Sequence, residues 1–209
     1  MNKKISKINS LIKKKYKYEL LENGFSSKDI AAGRKVLNSK RITMAENTRK
    51  FEDAFAKKIG SRYALMVNSG SSANLLAAFA AGNILRKKRY KVGDEVLIPV
   101  LCWSTSVWPF VQFGLKPVFV DVDKDTLNIS INDLKKKITK KTKAIVLINV
   151  LGNCSDLFEI KKIAKRKNII LIEDNCESLG SKLKNKYLGT FGDFSSFSFY
   201  YSHQITSGE

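Results

Sequence analysis

The sequence has few of the residues that define several common protein classes. Among 209 residues there is one histidine and there are three cysteines, Cys102, Cys154 and Cys176, without a CxxC pair. Three dispersed cysteines do not form a disulfide framework and are typical of reduced thiols. No apolar run approaches the roughly 18 residues of a transmembrane helix, and no signal-peptide core follows the N-terminus. We therefore expect a cytoplasmic protein with no membrane partner.

Acidic residues are also scarce relative to basic ones. The chain has 19 Asp and Glu against 38 Lys and Arg, a formal net charge of +19. Such an excess can indicate nucleic-acid binding. Here it is nearly all lysine, spread over predicted surface helices without zinc-finger spacing or an aromatic nucleic-acid motif. We therefore expect a solvated basic surface that attracts phosphorylated metabolites, and no nucleic-acid partner.

The composition divides the chain into two parts. Seven lysines lie among the first 17 residues, so we expect a basic N-terminal arm over residues 1–24. The rest shows no repeat and no low-complexity linker, which predicts a single domain over residues 25–209. Because the sequence stops directly after a predicted strand and loop, we expect this domain to be incomplete, with a C-terminal domain missing.

Short apolar runs alternate with helical patterns along this domain. This alternation predicts an α/β protein with a mostly parallel central sheet. Predicted strands lie at 63–68, 95–100, 117–122, 144–151 and 169–174, and a further β-rich run lies at 197–201. Ser130 and Asp133 resemble a capping box, and Phe51, Phe55 and Ile59 recur at helical spacing.

Small and polar residues follow several of these strands. The segment 68–74 joins a predicted strand to a helix, where free N–H groups suit a phosphate, although small hydroxyl residues are also ordinary helix caps. Asp174 ends a predicted buried strand, where it can pair with a protonated ring nitrogen or cap a turn. Trp103 follows another strand, where its indole can stack on a planar ring or belong to the core.

The single histidine, His203, lies in the polar run after residues 197–201. A lone histidine is often structural, but imidazole titrates near neutral pH and suits general acid–base work at a cleft. The sequence contains no G-x-S-x-G elbow and no metal-ligand cluster, so nothing in it indicates hydrolysis or a metal site.

Taken in order, the segment 68–74, Trp103, Asp174 with Glu177, and the segments 189–193 and 198–209 resemble the DegT/DnrJ/EryC1/StrS family of sugar-nucleotide aminotransferases. The resemblance implies a three-layer α/β/α large domain of a fold type I enzyme that uses pyridoxal 5'-phosphate or pyridoxamine 5'-phosphate. Most family members have a lysine where His203 stands. In having a histidine at this position, the sequence resembles the 3-dehydratase branch of the family.

The resemblance also implies roles for individual residues. Ser71 and Ser72 would hold the cofactor phosphate with help from Ser198. Trp103 would stack on the pyridine ring. Asp174 would pair with the ring nitrogen, and Glu177 would lie near the ring hydroxyl. His203 would be the catalytic base. The sequence departs from the family pattern at Tyr201, where proline is usual, and at Gln204, where this branch often has a second histidine.

The expected reaction is removal of the C3 hydroxyl from a GDP- or CDP-linked 4-keto-6-deoxy sugar, in deoxysugar and O-antigen biosynthesis. L-glutamate is the expected amino donor, and a homodimer is the expected assembly. An iron–sulphur cluster that resets the cofactor instead is disfavoured by the cysteine spacing. The alternatives are a sugar-nucleotide aminotransferase whose lysine lies elsewhere, and a non-catalytic fragment or basic binding protein.

Overall fold

The computed structural model of the chain describes residues 24–207. The predicted basic arm therefore lies outside the described residues, apart from residue 24. The last two residues of the predicted domain, 208 and 209, lie outside them as well. Within the described range, no helix combines the length and the apolar character needed to cross a membrane.

A five-stranded parallel sheet forms the centre of the described part. Its strands, in spatial order, are β2 (Lys116–Val120), β1 (Glu95–Pro99), β3 (Thr142–Ile148), β4 (Ile170–Asp174) and β7 (Phe194–Ser196). Every neighbouring pair is parallel, so the predicted mostly parallel sheet is confirmed. A separate antiparallel hairpin consists of β5 (Lys182–Leu183) and β6 (Lys186–Tyr187).

Within residues 24–207, six α-helices accompany the strands. They are α1 (Ser27–Asn38), α2 (Glu46–Ile59), α3 (Gly70–Ala81), α4 (Trp108–Phe113), α5 (Ile131–Lys137) and α6 (Leu157–Lys167). Two short 3₁₀ turns, Ser104–Ser106 and Val150–Gly152, follow β1 and β3. The helical spacing of Phe51, Phe55 and Ile59 is confirmed, because all three lie on α2.

Each face of the sheet carries its own apolar core. Leu97 and Leu171 belong to one cluster, together with buried residues of α5 and α6. Ile98 and Ile172, their strand neighbours, belong to a second cluster with buried residues of α3 and α4. Successive side chains of a strand point to opposite faces, so strands covered on both sides read as continuous apolar runs. The predicted three-layer α/β/α architecture is confirmed.

Two predicted strands are wrong. The segment 63–68 has no strand partner within residues 24–207, and the Met66 N–H donates instead to the Glu52 carboxylate at 2.7 Å. An apolar run forms a strand only where a neighbour satisfies its backbone groups. The last strand of the sheet is β7, which ends at Ser196, so the β-rich run predicted at 197–201 lies beyond it.

The capping box predicted before α5 is half present. The Asp133 N–H donates to Ser130 Oγ at 3.4 Å, as expected of an N-cap serine. The reciprocal bond is absent between these two described residues, because the Asp133 carboxylate accepts from the Asp121 N–H at 2.8 Å. The Ser130 N–H donates to the Asp121 carbonyl instead.

A buried carboxylate on β4 shapes the loop that leads into β7. Glu173 is fully buried and accepts hydrogen bonds from the N–H groups of Gly189 at 2.8 Å, Phe191 at 2.7 Å and Gly192 at 2.6 Å. Burial raises the pKa of Glu173, and these N–H groups partly offset that effect. Gly189 has a φ of +87°, and a Cβ there would lie 2.4 Å from the Phe197 ring. The Gly-rich loop before β7 therefore depends on both Gly189 and the Glu173 carboxylate.

We expect Glu173→Gln to lower the free energy of unfolding by about 1–3 kcal/mol, because the amide has one acceptor oxygen for three N–H donors. Urea denaturation followed by circular dichroism measures the change. As the control, Glu46→Gln removes the same charge from an exposed position on α2 and should leave the midpoint unchanged. An unchanged midpoint for Glu173→Gln would show that the carboxylate does not hold the loop.

Candidate active site

A cleft of about 630 Å³ opens at the carboxyl ends of the parallel strands. Its walls come from the segments that follow β1, β3, β4 and β7 and from the first turn of α3. Parallel α/β sheets bind ligands at this end, and the volume suits a small molecule. Six of the seven predicted site residues line the cleft: Ser71, Trp103, Asp174, Glu177, Ser198 and His203.

The Asp174 carboxylate lies at the cleft and is 6% exposed. Its Oδ2 accepts hydrogen bonds from Asn74 Nδ2 at 2.8 Å and from Ser106 Oγ at 2.7 Å. Its Oδ1 accepts from the Cys176 N–H at 3.1 Å. Three donors hold the carboxylate in one orientation, and Oδ1, which accepts only one of these hydrogen bonds, retains acceptor capacity for a ligand.

Asn74 connects the cleft to the sheet. Besides donating to Asp174, it accepts a hydrogen bond from Ser196 Oγ at 2.5 Å, so it joins α3 to both β4 and β7. The sequence interpretation gave no role to Asn74 or to Ser106. The available signal was an asparagine within the otherwise apolar face of α3, because a buried polar side chain requires a partner.

The N-terminus of α3 presents hydrogen-bond donors to the cleft. Ser69 caps the helix, and its hydroxyl accepts the Ser72 N–H at 3.1 Å. Within residues 24–207, the N–H groups of Gly70 and Ser71 have no protein acceptor. The Ser71 hydroxyl donates to Thr105 Oγ1 at 3.1 Å. These donors and the positive end of the helix dipole form a site for an anion.

Ser72 is the one predicted site residue that does not line the cleft. Its N–H and hydroxyl are both bonded to Ser69 Oγ within the cap. Its neighbour Ser71 reaches the cleft. Ser198, the third predicted phosphate ligand, also lines the cleft, is 6% exposed and accepts the Tyr200 N–H at 3.2 Å.

Trp103 stands at the rim of the cleft with 75% of its surface exposed. It precedes the 3₁₀ turn that carries Thr105 and Ser106. The alternative that Trp103 belongs to the core is therefore wrong. An exposed indole at the edge of a cleft offers a flat apolar face for stacking.

His203 lines the cleft from the loop that follows β7. The ring makes an edge contact with Tyr200, with centroids 5.8 Å apart, and the His203 N–H donates to the Tyr200 carbonyl. Among the described residues, no lysine or arginine lines the cleft. His203 is therefore the nitrogen base available there.

Glu177 joins two loops at the cleft edge. Its Oε2 accepts the Leu151 N–H at 2.9 Å, and its carbonyl accepts a hydrogen bond from Gln204 Nε2 at 2.6 Å. Leu151 has a φ of +53°, an unusual backbone conformation for leucine. The Glu177 carboxylate thus has a structural partner within the chain in addition to its place at the cleft.

The three thiols lie in environments that disfavour the thiolate. Burial raises the pKa of Cys102 and Cys154, and burial together with nearby Asp174 raises that of Cys176. In the described part of the chain, no group of three or more histidine, cysteine or acidic residues is arranged to hold a metal ion.

Within residues 24–207, the parallel sheet, the unpaired N–H donors at a helix N-terminus and the carboxylate at the strand ends define an α/β protein with a polar cleft at the carboxyl ends of its strands. The chain belongs to the DegT/DnrJ/EryC1/StrS aminotransferase family, whose profile matches residues 25–209. The family predicted from the sequence is thereby confirmed.

Known relatives resemble the chain closely over half of their length. This chain is 47% identical over 192 residues to GDP-4-keto-6-deoxy-D-mannose 3-dehydratase of Escherichia coli O55:H7. The match covers 92% of this chain and 49% of that protein. A solved structure of the E. coli enzyme with bound hydrated PLP superposes with a TM-score of 0.87 at 47% identity, covering 92% of this chain and 49% of that chain.

A second solved structure is a GDP-4-keto-6-deoxymannose-3-dehydratase with a trapped PLP-glutamate geminal diamine. It superposes with a TM-score of 0.88 at 46% identity and covers 92% of this chain and 50% of that chain. The chain thus spans about half the length of the relatives it matches.

Close packing at the start of α3 gives a test of the cleft geometry. A Cβ on Gly70 would lie 2.8 Å from Cys176 Sγ and 3.0 Å from Ser198 Cβ. We expect Gly70→Ala to lower the free energy of unfolding by about 1–3 kcal/mol, as overpacking typically does. Removing the Sγ in a Gly70→Ala, Cys176→Ala double variant should restore much of the loss.

Thermal or urea unfolding of the two single variants and the double variant forms a double-mutant cycle for this contact. Strict additivity of the two changes would contradict the contact, because non-additivity is expected only if the two side chains meet.

Proposed function

We propose that the chain carries the cofactor-binding half of a sugar-nucleotide 3-dehydratase that depends on pyridoxal 5'-phosphate or pyridoxamine 5'-phosphate. The substrate would be a 4-keto-6-deoxy sugar linked to GDP or, in the alternative, to CDP, in deoxysugar synthesis for the O-antigen of lipopolysaccharide. One observation carries the proposal: among the described residues, the cleft of an aminotransferase-family protein contains His203 and no lysine.

The donor set of the cleft fits the phosphate of such a cofactor. The free N–H groups of Gly70 and Ser71 and the hydroxyls of Ser71, Thr105 and Ser198 all belong to residues that line the cleft. Backbone N–H groups at a helix N-terminus bind phosphate without the need for a basic side chain. Ser72 supports this end of the site through the helix cap.

The cofactor also has a protonated pyridine nitrogen, which needs an anionic partner. Asp174 would be that partner. Three hydrogen bonds already orient its carboxylate, so a ligand cation meets a preorganised acceptor. Trp103 would stack on the ring from the rim. Glu177 would approach the ring hydroxyl while its other contacts hold the neighbouring loops.

When bound, the cofactor would supply a primary amine for the sugar ketone and a ring that accepts electron density. A lysine in the cleft would anchor the aldehyde form covalently, which imidazole cannot do. His203 would instead remove a proton from the carbon that bears the cofactor amine. The electrons of that C–H bond would expel the C3 hydroxyl, and the imidazolium would give the proton to the leaving oxygen, which departs as water. The side chains of the cleft therefore favour loss of a hydroxyl over release of an amino sugar.

Resetting the cofactor would use L-glutamate as the amino donor. The relative with a trapped PLP-glutamate adduct supports this choice. An iron–sulphur cluster needs several thiolates, whereas the environments of Cys102, Cys154 and Cys176 raise the pKa of each thiol. The physical chemistry of these cysteines therefore favours glutamate over a cluster.

We further propose a cytoplasmic homodimer. Leu75, Leu76 and Phe79 on α3 are each between 40% and 46% exposed, and a second copy would cover such apolar side chains. The basic surface would face solvent and attract the phosphorylated substrate, without a nucleic-acid partner.

Asp174→Asn tests the cofactor site, because it keeps the shape of the side chain and removes its charge. A hydrogen bond to a charged group contributes about 1.5–3 kcal/mol, so the affinity for pyridoxamine 5'-phosphate should fall roughly ten- to hundredfold. Fluorescence titration of the complete gene product measures it. Asp125→Asn, on an exposed turn outside the cleft, should bind as the parent does. Equal affinity for both variants would remove Asp174 from the site.

His203→Asn tests the reaction. Cofactor affinity should be retained, while C3 deoxygenation of GDP-4-keto-6-deoxy-D-mannose should slow by roughly 10² to 10⁴, the usual contribution of an acid–base group. Product NMR with the complete gene product measures the rate.

Near-parental turnover in His203→Asn would end the dehydratase proposal. A lysine found attached to the cofactor by mass spectrometry after borohydride reduction would favour an aminotransferase instead. If the parent binds nucleic acid with a steep salt dependence and no cofactor, it is the basic binding protein.

A further inference from the structure

The loop that carries His203 follows β7 and lines the cleft. Its backbone closes one turn through the bond from the His203 N–H to the Tyr200 carbonyl, and the Ser207 N–H donates to the Phe199 carbonyl. Within residues 24–207, the imidazole makes an edge contact with Tyr200 and no hydrogen bond. The position of the imidazole therefore depends on the position of the loop backbone.

The Gln204 side chain fastens this loop to the segment that follows β4, the strand next to β7. Gln204, the residue after His203, donates from Nε2 to the Glu177 carbonyl at 2.6 Å, across 27 residues of sequence. Glu177 lies in the segment that follows β4, whose last residue is Asp174. The hydrogen bond thus connects the loop of the base directly to the turn after the carboxylate.

The Glu177 side of this connection is itself fixed. Its carboxylate accepts the Leu151 N–H at 2.9 Å, which ties it to the 3₁₀ turn after β3. Gly152 in that turn packs closely as well, since a Cβ there would lie 3.0 Å from Ser181 Oγ. The Gln204 amide therefore binds to a segment that is itself hydrogen-bonded to the 3₁₀ turn after β3.

We propose that Gln204 is a positioning residue, which holds the His203 loop on the Glu177 carbonyl and so sets the distance from the imidazole to the reacting atoms. Gln204 touches neither cofactor nor substrate in this proposal. The predicted effect on the reaction rate rests on the proposed 3-dehydratase function, whereas the predicted hold on the His203 loop does not. A misplacement of about 1 Å in a catalytic group can lower the rate by up to roughly 10². Loss of one hydrogen bond that positions the His203 loop can therefore lower the rate of the reaction.

Two substitutions separate the hydrogen bond from the bulk of the side chain. Gln204→Met has a similar length and no donor, and Gln204→Arg keeps N–H donors that can reach the Glu177 carbonyl. In the complete gene product, Gln204→Met should raise amide hydrogen exchange of residues 200–206 about two- to tenfold, the equivalent of one net hydrogen bond. Gln204→Arg should exchange as the parent does.

The kinetic readout distinguishes positioning from folding. Gln204→Met should lower kcat about tenfold or more, with KM and the affinity for pyridoxamine 5'-phosphate unchanged, and Gln204→Arg should recover most of the loss. A uniform loss of stability would change cofactor affinity too.

Parental kcat in Gln204→Met, or equal impairment of both variants, would overturn the positioning role. Unchanged exchange of residues 200–206 in Gln204→Met would show that the hydrogen bond does not hold the loop. If the exchange changes as expected while the parent itself shows no 3-dehydratase activity, the structural part stands and the proposed function fails.

Discussion

The hydrogen-bonded Asp174 carboxylate is the constraint on which the rest of the cleft depends. A carboxylate that is 6% exposed is costly unless its oxygens have partners. Those partners come from three separate places: Asn74 on α3, Ser106 after β1 and the backbone of Cys176 after β4. Asn74 is held in turn by Ser196 on β7. Satisfying one carboxylate therefore fixes the relative positions of α3, β4, β7 and the segment after β1, four of the five elements that line the cleft.

The sequence predicted the central strands because their physical signal is local. β1, β3 and β4 are buried on both faces and so appear as apolar runs. The edge strand β7 has only three residues, and the nearby aromatic residues drew the prediction to 197–201 instead. Phe197 and Phe199 in fact pack edge-on against Phe55 of α2, so their burial is explained by helix contacts rather than by a sheet. The strand predicted at 63–68 is wrong because a strand needs a neighbour to pair with, and no described strand lies beside this segment.

Six of the residues that line the cleft could be predicted from the sequence, because parallel strands bring their carboxyl ends together. The groups that orient these residues could not be predicted. Asn74 and Ser106 meet Asp174 across 100 and 68 residues of sequence, and no local pattern records such a meeting. Glu173 and Asp174 are adjacent acidic residues at the end of β4. Strand alternation separates them: Asp174 lies on the side of α3, whereas Glu173 binds the loop before β7.

This alternation also determines where the length of the chain can change. Inserting or deleting one residue within β4 would exchange the two carboxylates between the faces of the sheet, so both the loop and the cleft would lose their partners at once. The turn between β5 and β6 has no such dependence, since Lys184 and Asn185 lie outside the central sheet and already adopt positive φ values of 47° and 64°. Gene segments from related proteins should therefore be joined at this turn, and a tag or reporter group inserted there would leave the register of the sheet intact.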